Sequence, residues 1–166
     1  LELGDNVADR ALLLSESGRQ RMAEALAKAV REHTRPSGLN RYEETSTQIA
    51  YTGPWLNFLT SGASGGSYKY ADAPASATIT FTGTRIDWIA TKGYTQGKAK
   101  LILDGGAPVT VDLYNPTTLR QVRVWSSGEL PDGQHSVVIS WSGERSVSTG
   151  GTRVNVDALE VWESLQ

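Results

Sequence analysis

The stretch Ala77–Gly106, ATITFTGTRIDWIATKGYTQGKAKLILDGG, decides how this chain is read. Three segments in it alternate with a period of two. Ala77, Ile79 and Phe81 alternate with Thr78, Thr80 and Thr82. Ile86, Trp88 and Ala90 alternate with Arg85, Asp87 and Ile89, and Ala99, Leu101 and Leu103 with Lys98, Lys100 and Ile102. That period sends one set of side chains to a buried face of a sheet and the other to an outer or half-buried face. Gly83 closes the first segment. Asp104-Gly105-Gly106 predicts a tight hairpin turn, because glycine accepts the positive φ that such turns need. The stretch is expected to form the middle of an antiparallel β-sandwich.

Working outward, further strands are expected at Gln48–Tyr51, Ser67–Tyr70, Pro108–Tyr114, Gln121–Trp125, Ser136–Trp141 and Thr152–Trp162, with those of the central stretch at Ala75–Thr82, Arg85–Thr91 and Lys98–Leu103. Turns rich in Gly, Asn, Asp and Pro separate them, among them Thr52-Gly53-Pro54 and Pro131-Asp132-Gly133. Short strands at this spacing predict a sandwich or barrel. The expected core is Ile79, Phe81, Ile86, Trp88, Leu101, Leu103, Val109, Val111, Leu113, Val122, Val124, Val137, Ile139, Val156 and Leu159.

The 166 residues suit one domain, or a domain of about 125 residues with an appendage. With 16 basic and 18 acidic residues the chain gives no broad electrostatic case for nucleic acid, and the small cluster Arg85, Lys92, Lys98 and Lys100 adds none. The absence of cysteine excludes disulfides and thiolate metal sites. No apolar run approaches the roughly 18–20 residues of a membrane span. The chain shows no signal peptide and does not begin with Met, so a piece of a longer protein is expected.

Composition changes near residue 36, from Ala, Leu, Glu and Arg to Gly, Ser, Thr and aromatics. Met22, Ala25, Leu26, Ala29 and Val30 are spaced as one helical stripe, with a shorter turn at Ala8 to Leu14. Pro36-Ser37-Gly38 would stop the helix. The expected organisation is therefore an α-helical segment over residues 1–35, a linker over 36–40 and a β-sandwich over 41–166. The stripe, with Leu12 and Leu13, would leave an apolar face to be covered, and self-association through the helix is expected.

The opening LELGDNVADRALLLSESGRQRMAEALAKAV resembles the C-terminal end of the zinc-dependent N-acetylmuramoyl-L-alanine amidases of bacterial cell walls. Glu2 and Gly4 match that family's Glu-x-Gly motif. The resemblance implies that Glu2 is catalytic only beside zinc ligands of an upstream domain, and that zinc belongs there. His33 and His135 do not stand in the context of those ligands. Residues 41–162 resemble the galactose-binding-domain-like jelly rolls appended to many secreted bacterial proteins and carbohydrate-active enzymes. The matching features are Tyr42-Glu43-Glu44-Thr45, Tyr51-Thr52-Gly53 with Trp55, Phe81-Thr82-Gly83-Thr84, Leu103-Asp104-Gly105 and the closing Val156-Asp157-Ala158-Leu159-Glu160-Val161. This resemblance implies a structural calcium near the first and last strands, held by Glu43 or Glu44 and by Asp157; calcium takes several oxygen ligands.

Trp55, Tyr68, Tyr70, Tyr94 and Trp125 lie in or beside Gly/Ser-rich segments and could form a sugar-binding platform, since a ring face packs on the C–H face of a pyranose. Trp88 and Trp141 are assigned to structure. Asp87, Asp104, Asp112 and Asp132 are scattered, His135 reads as an edge residue, and no Gly-x-Ser-x-Gly elbow followed by an Asp and His is evident. The expected function is a non-catalytic carbohydrate- or cell-wall-binding module of a secreted or envelope-associated bacterial cell-wall hydrolase, with polysaccharide or peptidoglycan as partner. The alternative is a structural spacer or oligomerisation sandwich without a sugar site.

Overall fold

The computed structural model describes Ser15, Glu16, Arg19, Gln20, Met22, Ala23 and residues 37–147 and 150–164. Two compact units divide the chain, Leu1–Pro36 and Ser37–Gln166.

The fold class needs correction at the N-terminus. Among the described residues no α-helix reaches seven residues, and the one helical element is the 3-10 turn Ser64–Gly66. Glu16, Arg19, Gln20, Met22 and Ala23 are the only N-terminal positions described as helical. A helix of this kind draws most of its stability from burying its stripe, yet Met22, the one described member of that stripe, is 52% exposed. Leu12, Leu13, Ala25, Leu26, Ala29 and Val30, the self-association assigned to them, and Glu2, Gly4 and His33 lie outside the described residues.

The second unit is all β. Its twelve strands are β1 Ser37–Glu43, β2 Ile49–Thr52, β3 Leu56–Leu59, β4 Ser67–Ala71, β5 Ser76–Gly83, β6 Arg85–Lys92, β7 Lys98–Leu103, β8 Val109–Asp112, β9 Leu119–Ser126, β10 Gly133–Trp141, β11 Val154–Val156 and β12 Ala158–Ser164. They form three sheets in the orders β1-β12-β6-β9, β2-β5-β10-β7-β8 and β11-β4-β3. Every strand pair is antiparallel. The four- and five-stranded sheets face each other across a core in which Ile79, Ile86, Trp88, Leu101, Leu113, Ile139 and Leu159 are almost completely buried. This is a three-sheet sandwich of jelly-roll kind.

The central stretch folds as its alternation predicts, with one refinement. In β5, buried Ala77, Ile79 and Phe81 alternate with more open threonines. In β6 both faces are covered: Asp87 is fully buried and Ile89 is 5% exposed. Arg85 and Arg123 close over Asp87 at 2.6 and 3.2 Å. Burial alone would raise the Asp87 carboxyl, but hydrogen bonds from Arg85, Ser126 and Arg123 outweigh it and hold the group below its ordinary value. The turn after β7 has the predicted chemistry: Asp104 and Gly105 have φ of 50° and 67°, and the Gly106 N–H donates to Leu103 O at 2.9 Å.

Three features depart from the sequence reading. Gly38, Leu39 and Asn40, expected in a linker, pair in β1 with Glu163, Trp162 and Val161. β1 and β3 were not expected as strands. Both are edge strands, and Leu39 and all of β3 stay exposed, so neither carries a buried alternating face. The expected strand Thr152–Trp162 is two strands in two sheets, β11 on β4 and β12 between β1 and β6, with the change of sheet at Asp157. Val109, expected in the core, is 48% exposed on β8, an edge strand.

A chain beginning at Ser37 is expected to melt in one cooperative transition. A chain beginning at Glu44, which strips β1 from β12, is expected to melt at least about 10 °C lower, or not to fold, given a few degrees per kcal/mol in a domain of this size. Calorimetry on the two chains checks this, and equal melting temperatures would contradict it.

Candidate functional site

β1 ends at Glu43, and the turn that follows brings Glu44 to the same place as its neighbour. Two adjacent residues of a continuing strand would have pointed to opposite faces. Across from them, the change of sheet at Asp157 turns its carboxylate inward. One ligand atom from each of Glu43, Glu44 and Asp157 lies within 4.8 Å of the others. Glu44 is 2% exposed and Asp157 is fully buried.

One oxygen of each carboxylate is held by the protein. Ser64 N–H donates to Asp157 Oδ1 at 2.8 Å, and Ser64 Oγ donates to Glu43 Oε1 at 2.8 Å. Ser67 Oγ donates to Glu44 Oε1. Arg41 donates to Glu43 at 3.2 Å and also pairs with Glu160, so its single charge is shared. Glu43 Oε2 and Asp157 Oδ2 are buried without a partner. Two orphaned carboxylate oxygens in a trio of carboxylates call for a hard cation, and the all-oxygen donor set fits calcium. No thiolate or imidazole stands with them to favour zinc. Burial, with Glu43 and Glu44 adding to it against the Ser64 N–H and Arg41, pushes Asp157 up to about 6.

Beside this cluster a cleft of about 250 Å³ opens over the three-stranded sheet. Its lining is Phe58 from β3, Tyr68 from β4, Thr91 at the end of β6, Gly93, Thr95 and Gln96 after it, Thr118 and Arg120 around the start of β9, and Arg153 before β11. Phe58 and Tyr68 stack, with ring centroids 5.0 Å apart and planes at 29°. Phe58 is 41% exposed, whereas Tyr68 is buried. Thr91 is 3% exposed, and its Oγ1 has no hydrogen-bond partner. The cleft thus joins an aromatic face to a desolvated hydroxyl, an amide and two guanidinium groups.

Asn155 holds the cleft's far wall. It is fully buried on β11. Its Oδ1 accepts from Thr91 N–H, and its Nδ2 donates to Thr91 O and to Gln96 Oε1, each at 2.8 Å. One amide side chain so completes the backbone bonding of Thr91 and orders Gln96, which is 2% exposed.

The structure distributes the five predicted aromatics. Tyr68 floors the cleft. Tyr70 carries the Arg153 guanidinium 4.5 Å over its ring. Tyr94, half exposed, sits between two lining residues and faces Tyr114 at 6.3 Å. Trp55 lies elsewhere, edge-on to Tyr51 at 5.1 Å, donating from Nε1 to Thr52 O and Ser76 O. Trp125 pairs with Trp88 across β6 and β9 and packs on the core. His135, expected at an edge, stands near the start of the central strand β10, paired with Phe81 of β5, and contacts Asp104 at 2.7 Å and Pro131 O at 2.8 Å. The sequence reading missed Phe58, Thr91, Gln96, Arg120, Arg153 and Asn155. A signal existed for Asn155 alone: a polar residue between Val154 and Val156 in an apolar strand must find partners inside.

Two outcomes follow for these side chains. Without metal, the raised Asp157 means that the folded state binds a proton more tightly than the unfolded one. The contribution of Asp157 to stability is then full below about pH 4 and is lost as pH rises through about 6, by roughly 2–3 kcal/mol. Calcium should cancel this fall and raise the melting temperature most at neutral pH. Thermal melts from about pH 4.5 to 7.5, with chelator and with calcium, check it; Asp157→Asn should abolish the calcium response, and identical wild-type curves would refute the site. Separately, Asn155→Leu should cost roughly 2–4 kcal/mol by leaving Thr91 N–H and O unpaired, measured by urea unfolding.

No family model matches the chain, and no curated protein matches it. Solved structures do. A two-domain esterase active on acetylated mannans, co-crystallised with mannopentaose, superposes with a TM-score of 0.57 at 15% identity, over 80% of this chain and 39% of its own. A GH26-CBM35 β-(1,4)-mannanase from Podospora anserina gives 0.53 at 16%, over 78% and 29%. A family 35 carbohydrate-binding module from Clostridium thermocellum gives 0.50 at 13%, over 74% of this chain and 98% of the module. This chain therefore spans about a third of the multidomain enzymes but nearly the whole of the isolated module. At these identities the likeness establishes the fold: the sandwich has the architecture found in carbohydrate-binding and carbohydrate-active proteins.

Proposed function

We propose that residues 37–166 are a non-catalytic polysaccharide-binding module that carries a structural calcium ion. The cleft beside the acidic cluster carries this reading. Its stacked Phe58 and Tyr68 offer apolar ring surface for the C–H face of a sugar, and Thr91 Oγ1, buried and unpartnered, is a hydroxyl that gains a partner when a sugar hydroxyl arrives. Calcium at Glu43, Glu44 and Asp157 would neutralise the buried charge under the loop that borders the cleft. The acidic trio is spent on that role, and among the described residues no carboxylate lines the cleft, whereas glycoside hydrolysis commonly uses two. A secreted or envelope-associated location accompanies the reading, with wall polymers, peptidoglycan included, as the partners to try.

Affinity electrophoresis of the full chain through gels containing neutral mannan, xylan, acidic plant polymers or purified peptidoglycan tests the reading. Retardation by at least one polymer is expected, with Phe58→Ala weakening it roughly tenfold through the lost ring contact and no reducing ends released. Free migration through every gel would overturn it and favour a structural spacer.

A further inference from the structure

We propose that the cleft recognises a carboxylate-bearing sugar, a uronate residue of an acidic polysaccharide, through Arg120 and Arg153. This rests on the reading of the cleft as a polysaccharide site and names the sugar class.

The placement of Arg120 is the first ground. β6 and β9 slip register between Ala90 and Lys92, so that Ala90 pairs with Val122 and Lys92 with Leu119. Arg120 and Gln121 occupy that bulge, and Gln121 has a φ of 53°, in the left-handed region that non-glycine residues rarely enter. The bulge is tied down where Gln121 Nε2 donates to Gly62 O at 3.1 Å. Arg120 lies along Gly62 so closely that a Cβ there would stand 2.3 Å from its Cδ. A strained bulge and a bare glycine thus hold an arginine over the cleft. Bulges are a common means of re-aiming a side chain at a site.

The missing partner is the second ground. Among the described residues Arg120 has no ion pair or hydrogen bond, while Arg41, Arg85 and Arg123 all meet carboxylates at 3.2 Å or closer. Arg153 is stacked on Tyr70, and its carboxylate neighbour, Asp72, is as far as 3.9 Å. Both cations act on the Tyr68 phenol: burial raises it, and Arg120 and Arg153 pull it back. They therefore converge on the aromatic floor. None of the nine lining residues is acidic, in a chain whose net charge is −2. A guanidinium presents a planar fork that matches a carboxylate with two parallel N–H···O bonds, so a uronate completes both what the arginines lack and what Thr91 lacks.

Calorimetric titration of the full chain, with calcium present, tests this with de-esterified homogalacturonan, alginate and glucuronoxylan, with methyl-esterified homogalacturonan, and with mannan and dextran sulfate. At least one uronan should bind, roughly tenfold or more tightly than mannan and dextran sulfate, and weaken as salt is raised. Where homogalacturonan is that uronan, its methyl ester should lose the affinity. Arg120→Gln and Arg153→Gln should each weaken uronan binding about tenfold with melting temperatures unchanged; Arg120→Lys, which keeps the charge but not the fork, should restore only part of it. Equal binding of mannan or of the methyl ester, or uronan binding untouched by both Gln variants, would overturn the assignment. Equal binding of dextran sulfate would make the cleft a general anion site and overturn it too. Binding of neutral polymers alone would leave the polysaccharide reading standing and remove only this one, whereas silence from every polymer would remove both.

Discussion

Three carboxylates gathered at one point, two of them out of water, are the constraint around which this sandwich is arranged. Charges of like sign at such range in a poorly polarisable interior repel strongly unless something neutralises them. Much of the local architecture answers that demand. Arg41 reaches across from β1, Ser64 and Ser67 donate from two sides, and Asp157 itself stays partly protonated up to about 6. The trio also joins elements far apart in sequence: the end of β1, the Thr60–Gly66 turn, the start of β4 and the junction between β11 and β12. That junction moves the chain from the three-stranded to the four-stranded sheet, so the charged knot sits where two sheets are stitched together.

The same turn links the knot to the cleft. Ser64 bonds the carboxylates at one end, while Gly62, two residues earlier, seats Arg120 and accepts from Gln121. On the opposite wall Asn155 does for Thr91 and Gln96 what a neighbouring strand would have done. The cleft's polar groups are therefore fixed by buried side chains rather than by the loops alone. Such fixing reduces the entropy lost when a ligand is held.

Much of the fold was legible from period-two alternation, because β5, β7 and β10 bury one face and expose the other. Alternation says nothing about strands with no buried face, which is why β1 and β3 went unseen, and nothing about a strand buried on both sides, which is why Asp87 and Ile89 looked half exposed. It also could not reveal that Val154–Val156 and Ala158–Ser164 belong to different sheets, since Val154, Val156, Ala158 and Leu159 run on with no turn residue but Asp157 between them. At the site, Glu44 and Asp157 were readable through the resemblance, and their meeting with Glu43 depends on a turn that breaks the strand between the two glutamates. Tyr68 was readable as an aromatic in a Gly/Ser-rich context. Arg120 and Arg153 were not, because a charged residue in a loop is ordinarily solvated, and only the bulge and the stacked ring distinguish these two. The N-terminal stripe had helical spacing, but spacing supplies no layer against which to bury it.

The pairing of β1 with β12 has an architectural meaning. Ser37 lies directly opposite Ser164, so the backbone enters the sandwich and leaves it on neighbouring strands, about 5 Å apart. A unit whose two ends meet can be spliced into a host chain at a single surface point, or hung from either end, without distorting the host or stretching a connection. Closing the sheet between its own first and last strands also commits the fold to long-range pairing, so the unit comes together only after the whole segment is available.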